Sequence, residues 1–120
     1  MPFHYILANL LVDVPDALGA VFVDGEGEAV EWVSDHDGPP FELRVEGACQ
    51  AAIRRQLARL TVAHGGGALC AYELVGSRLI TLTQLLPHGY HVVLVARRSA
   101  SLGLARFHLR RAAAAIAGEI

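Results

Sequence analysis

The sequence predicts an α+β domain, with a five-stranded, mostly antiparallel sheet carrying helices on both faces. Three observations predict it. Short apolar runs of strand length come first as a pair and then as a triplet, joined by brief Gly- or Pro-bearing turns. Three longer segments with helical spacing flank and separate them. The 120 residues suffice for one core and no more, with no repeat, low-complexity tract or linker, so residues 1–120 form a single domain.

The first segment, FHYILANLLVDV, places Phe3, Ile6, Leu7, Leu10, Leu11 and Val14 on one helical face. Pro15 ends it, because proline disfavours helical geometry at the residue before it. Residues 18–23, LGAVFV, form an uncharged strand. DGEGE (24–28) reverses the chain through Gly25 and Gly27, and AVEWVS (29–34) returns. Pro39 and Pro40 suit the first turn of a second helix, with Asp37 or Gly38 as its cap.

That helix runs from Phe41 to about His64. Cys49, Ile53, Leu57, Leu60 and His64 cluster on one side, with Arg54, Arg55 and Arg59 roughly opposite and Ala48 and Ala51 among them. Gly47 weakens its first half by about 1 kcal/mol. Gly65-Gly66-Gly67 closes it. Strands follow at 68–75, 78–86 and 90–96, with turns at Gly76-Ser77 and PHG (87–89). A final helix sets Leu102, Ala105, Leu109, Ala112, Ala113 and Ile116 on one face.

Charge predicts the sheet order. The first, fourth and fifth strands have uncharged interiors, as central strands covered on both faces do. The second carries Glu31 and the third Glu73, which assigns those two to the edges.

Hydrophobic residues make up 53% of the chain and charged residues 18%, below the roughly 25% of ordinary soluble domains. A subunit interface accounts for the excess apolar surface. Disorder is excluded, and no apolar run reaches the ~20 residues of a membrane span. The N-terminal MPFHYILANLLVDVP lacks a basic leading region and a small-residue cleavage site, so the expected location is the cytoplasm. Cys49 and Cys70 lack metal or redox spacing and read as small buried hydrophobes in a reducing compartment. Residues 1–46 hold ten acids and one arginine; residues 47–120 hold nine arginines and two glutamates. If folding keeps these halves apart, the surface has an acidic and a basic patch. The absence of lysine points to a GC-rich, bacterial genome.

Searches for chemistry fail. No G-x-S-x-G and no phosphate loop occurs, and GEGEAV lacks the last glycine of a dinucleotide fingerprint. DGEGE is too short for a calcium loop. His88 and His91 have no third ligand at metal spacing, and His64 and His108 read as packed against apolar helix faces. Arg106, Arg110 and Arg111 could face nucleic acid, but the pI of 6.3 and the lack of interleaved exposed aromatics argue against it. No cofactor or metal is expected.

The element order, with ALGAVFVDGEGEAV near the start and SASLGLARFHLRRAAAAI at the end, resembles the roadblock/dynein-light-chain family. Asp24 and Gly27 in the first hairpin carry the resemblance, as do Leu102-Gly103, Arg106, Leu109 and Arg110 in the last helix. It implies a homodimer whose middle helices pack side by side and whose third strands pair across the axis into one sheet. That places Ala48, Ala51, Leu69, Cys70, Ala71, Tyr72 and Glu73 in the dimer interface. It also implies service to Ras-like small GTPases or motor complexes, as in the bacterial MglB-like partners of a polarity GTPase.

The resulting expectation is a non-catalytic homodimer binding a Ras-like small GTPase through Arg54, Arg55, Arg59 and Gln50 on the middle helix. Activation of GTP hydrolysis would come from positioning the GTPase's own switch segments. The alternatives are a scaffold or adaptor subunit that leaves hydrolysis unchanged, and a small enzyme or ligand-binding domain of profilin-like shape.

Overall fold

The computed structural model describes residues 2–35 and 43–120. The order is α1 (Pro2–Asp13), β1 (Ala17–Val23), β2 (Ala29–Ser34), α2 (Leu43–Ala63), β3 (Ala71–Val75), β4 (Leu79–Leu85), β5 (His91–Arg97) and α3 (Leu102–Ala117). The expected proline turn and cap ahead of the middle helix lie outside the described residues.

All five strands join one antiparallel sheet in the order β2-β1-β5-β4-β3. The charged strands are the edges, as their sequences predict. Every residue of β1 is buried, as are the first six of β5. An edge strand needs one wet face for its carboxylate, whereas a central strand has none to offer.

Alternation along the strands divides the core in two. Ala20, Phe22, Ile80, Leu82, Val92 and Leu94 point to the face covered by α1 and α3, where they meet Leu7, Leu10, Leu109 and Ile116. Val21, Val23, Val93 and Val95 point to the face that carries α2, which lies over β1 and β2.

The first hairpin is built by Asp24. Its Oδ1 accepts from the backbone N–H groups of Glu26 (2.9 Å) and Glu28 (3.0 Å), and Gly27 takes the left-handed φ of 93° that the reversal needs. The other hairpin signals also place correctly, at Gly76-Ser77 and at the 3₁₀ turn Pro87–Gly89. The third strand is shorter than its sequence suggests. Leu69 and Cys70 precede it, although the Cys70 carbonyl already accepts from Leu85 N at 2.9 Å.

The middle helix sits differently from its hydrophobic pattern. The side toward the sheet is the small-residue side. Gly47 lies on Val23, and Ala51 is 2% exposed beneath Gly27 of the hairpin. Ala51 therefore faces inward rather than outward; its size accommodates the hairpin within one subunit. The stripe of Cys49, Ile53, Leu57 and Leu60 is left uncovered or half-covered, with Leu60 53% exposed. Both cysteines are exposed, not buried, because Cys49 belongs to this outer stripe and Cys70 to the open approach to β3. His64 is likewise exposed at the helix end, while His108 is half-buried with Nδ1 3.8 Å from Asp13 Oδ2.

Candidate interaction site on the middle helix

Residues that sequence reasoning assigns to a partner divide into two groups on α2. Arg55 and Arg59, one turn apart, are exposed and make no ion pair among the described residues. Gln50 and Arg54 are turned toward the body of the protein and serve the fold.

Gln50 is 2% exposed. Its Nε2 donates to Glu46 Oε1 (2.8 Å), while its Oε1 accepts from the hydroxyls of Tyr72 (2.6 Å) and Thr83 (3.4 Å). This network ties α2 to β3 and β4, so Gln50 is unavailable to a partner: a buried amide left unbonded would cost about 1–3 kcal/mol. Burial pushes the Tyr72 hydroxyl above its ordinary pKa, which keeps it a donor. The sequence carries no signal for this network, since its members lie 22 and 33 residues apart.

Arg54 is half-buried and donates from Nη2 to the Gly25 carbonyl (3.2 Å), latching the helix to the first hairpin. Its Nε is buried without a partner among the described residues. Nearby, His91 is fully buried on the same face of the sheet, and both of its ring nitrogens lack partners among the described residues. Burial pulls its pKa below the usual histidine value; Arg54 lowers it further, while Asp24 and the backbones of Gly89 and Gly47 oppose the shift.

On the β2 side of α2 runs a groove of about 680 Å³, with Gly27, Ala29, Trp32, Val45, Ala48 and Cys49 among its walls. Ala48 is exposed there. On the opposite flank, β3 has its outer edge open, and Ala71, Leu74 and Val75 are exposed along it. Glu73 faces the other side of the sheet and forms a two-point pair with Arg106 of α3 (2.5 and 2.7 Å), which holds its carboxyl below the usual range. Among the described residues no cluster of three His, Cys, Asp or Glu side chains could hold a metal, and no helix is long and apolar enough to cross a membrane.

The overall fold recurs in solved structures. The gliding protein MglB of Thermus thermophilus superposes with a TM-score of 0.90 at 21% identity, covering 98% of this chain and 87% of that one. The chain has the roadblock fold. MglB in a tetrameric arrangement matches with a TM-score of 0.88 at 23% identity over 95% of this chain and 84% of that one. A Roadblock/LC7 domain from Streptomyces avermitilis matches at 0.86 and 13% identity over 96% and 94%. No family model and no curated protein matches the chain. The roadblock elements sit where the first hairpin and last helix lead one to expect: Asp24 and Gly27 shape the turn that packs under α2, and Leu109 anchors α3 on the sheet.

Proposed function

We propose that the protein is a non-catalytic, homodimeric roadblock platform that binds a Ras-like small GTPase, in the manner of an MglB-type regulator in a bacterial cytoplasm. The observation that carries this reading is the outer side of α2. Its apolar stripe of Cys49, Ile53, Leu57 and Leu60 is incompletely covered, and the open β3 edge flanks it. Two copies that share these features would bury the stripe and close the edge at once, using Ala71 and Tyr72 of the strand and Leu69 and Cys70 just before it. Ala48 and Cys49 also line the groove on the β2 side of α2. Glu73, engaged with Arg106, contributes to the interface through its backbone.

Arg55 and Arg59 remain exposed on the flank of α2 away from the stripe and would be doubled on the dimer. Arginine is enriched at interface hot spots and its planar fork suits carboxylates, so the partner's switch segments would supply acids. Any effect on hydrolysis would come from holding those segments in the productive arrangement, the contribution that geometry alone makes to phosphoryl transfer. The test is affinity capture from the native host with GDP or a non-hydrolysable GTP analogue. Retention of a small GTPase in the triphosphate state, followed by faster single-turnover hydrolysis on addition of the protein, supports the regulator. Retention without a rate change favours the scaffold reading, and failure to retain any GTPase removes both.

A further inference from the structure

We propose that the outer side of α3, with the turn that feeds it, is a peripheral docking surface for an anionic phospholipid bilayer, in which Arg97, Arg98, Arg110 and Arg111 meet headgroups while Leu104 and Phe107 enter the interface. The inference is independent of the GTPase reading, because this surface lies on the face of the sheet opposite α2.

Charge is the first ground. The Arg97–Arg98 pair ends β5 beside the β3–β4 turn, where Arg98 N donates to the Arg78 carbonyl (2.9 Å) and adds a third exposed arginine to the rim. Ser101 caps α3 by accepting from Leu104 N (3.3 Å), which fixes the helix start within a few residues of that rim. Arg110 and Arg111 follow on exposed positions, and the first three turns of α3 hold no acid. None of Arg78, Arg97, Arg98, Arg110 and Arg111 pairs with a carboxylate among the described residues. Of the acids nearby, Glu73 is neutralised by Arg106, while Asp16 accepts from Ser99 (3.0 Å) and Asp13 lies 3.8 Å from His108, so five exposed arginines face two uncompensated carboxylates.

Apolar exposure on the same helix is the second ground. Leu104 is 46% and Phe107 56% exposed, and the Arg111 guanidinium lies 5.8 Å from the Phe107 ring centroid. The pair thus presents one aromatic and one cationic group side by side. A soluble polyanion would engage the arginines but gains nothing from two bare apolar side chains among them. A bilayer interface takes both, with headgroups for the charges and the acyl boundary for the rings and methyls.

The experiment is co-sedimentation of the full chain with phosphatidylcholine vesicles, with and without one third phosphatidylglycerol, at low and high salt. The wild type should bind only the anionic vesicles and lose most binding at high salt. Arg97→Glu with Arg98→Glu should weaken binding at least about tenfold. Leu104→Ser with Phe107→Ser, both at exposed positions and checked by circular dichroism, should also weaken vesicle binding while leaving retention on a heparin column unchanged. Three outcomes overturn the proposal: no binding to anionic vesicles, equal binding to neutral ones, or undiminished vesicle binding by the Leu104/Phe107 variant. The last would mean a polyanion patch with no lipid contact.

Discussion

Gly47 of α2 rests directly on Val23 of β1: a Cβ at residue 47 would come within 2.8 Å of Val23 Cγ2. Helix propensity alone favours alanine over glycine here by about 1 kcal/mol. Contact opposes it, because the intruding methyl meets a β-branched side chain that is 0% exposed and stiff about χ1. Overpacking of this kind costs about 1–3 kcal/mol. Gly47→Ala should therefore lower stability by a net ~1 kcal/mol in urea unfolding. Val23→Ala in the same chain should restore tolerance, so that the double mutant is more stable than the sum of the single effects predicts.

This contact also shows where the sequence could and could not be read. The strand order was legible because a charge on a strand excludes it from the doubly covered centre, and Glu31 and Glu73 marked the edges. The packing of α1 and α3 was legible because their faces toward the sheet are apolar, from Leu7 and Leu10 to Leu109 and Ile116. The orientation of α2 was not. Its closest approach to the sheet uses the small residues Gly47 and Ala51, and its greasier stripe is reserved for the outside. Hydrophobic periodicity finds an apolar side but not which surface covers it. Gln50 and Arg54 looked exposed for the same reason: each acts on a partner far along the chain, Tyr72 and Gly25.

His91 gives the fold a pH dependence of definite sign. Burial holds its folded pKa below the value near 6.5 that it takes in an unfolded chain. The unfolded state then binds more protons than the folded one below neutrality. Stability is fully present above about pH 6.5 and declines as pH falls through that value toward the lower folded pKa. The Glu73 carboxyl, held low by Arg106, adds a separate decline only at more acidic pH, below the ordinary carboxylate range. Thermal melts should thus show a drop in Tm between pH 7.5 and 5.5 that His91→Leu removes, leaving the more acidic decline in place. A variant whose melts keep the near-neutral drop would assign it to another group.

Assembly is testable through the open edge of β3. Light scattering at micromolar concentration should give about twice 12.8 kDa. Ala71 is exposed and pairs with Gln84 on β4, so Ala71→Asp disturbs nothing inside one subunit and should cost within ~0.5 kcal/mol there. In the proposed dimer it adds a carboxylate to each of the β3 edges that would meet. The variant should elute as a monomer, and Leu60→Asp on the outer stripe of α2 should do the same. A wild type that stays monomeric would remove the dimer from the proposed function.

The two kinds of arginine on α2 should separate binding from folding. Arg55 and Arg59 are exposed and make no ion pair among the described residues, so changing both to Glu should leave Tm nearly unchanged, surface changes costing within ~0.5 kcal/mol. Affinity for the cognate GTPase in its triphosphate form should fall at least about tenfold, a loss near 1.4 kcal/mol, and the loss should shrink at high salt. Arg54→Ala should behave in the opposite way. It removes one hydrogen bond that latches the helix to the first hairpin at the Gly25 carbonyl, so stability should fall by roughly 1 kcal/mol with a matching drop in Tm. GTPase binding measured well below that Tm should be kept to within a few-fold. A calorimetric titration of both variants decides between these roles. If Arg54→Ala abolishes binding at full stability while the Arg55/Arg59 variant binds normally, the partner reads the hairpin end of the helix, and the contact surface moves from the outer side of α2 to the turn at Asp24 and Gly25.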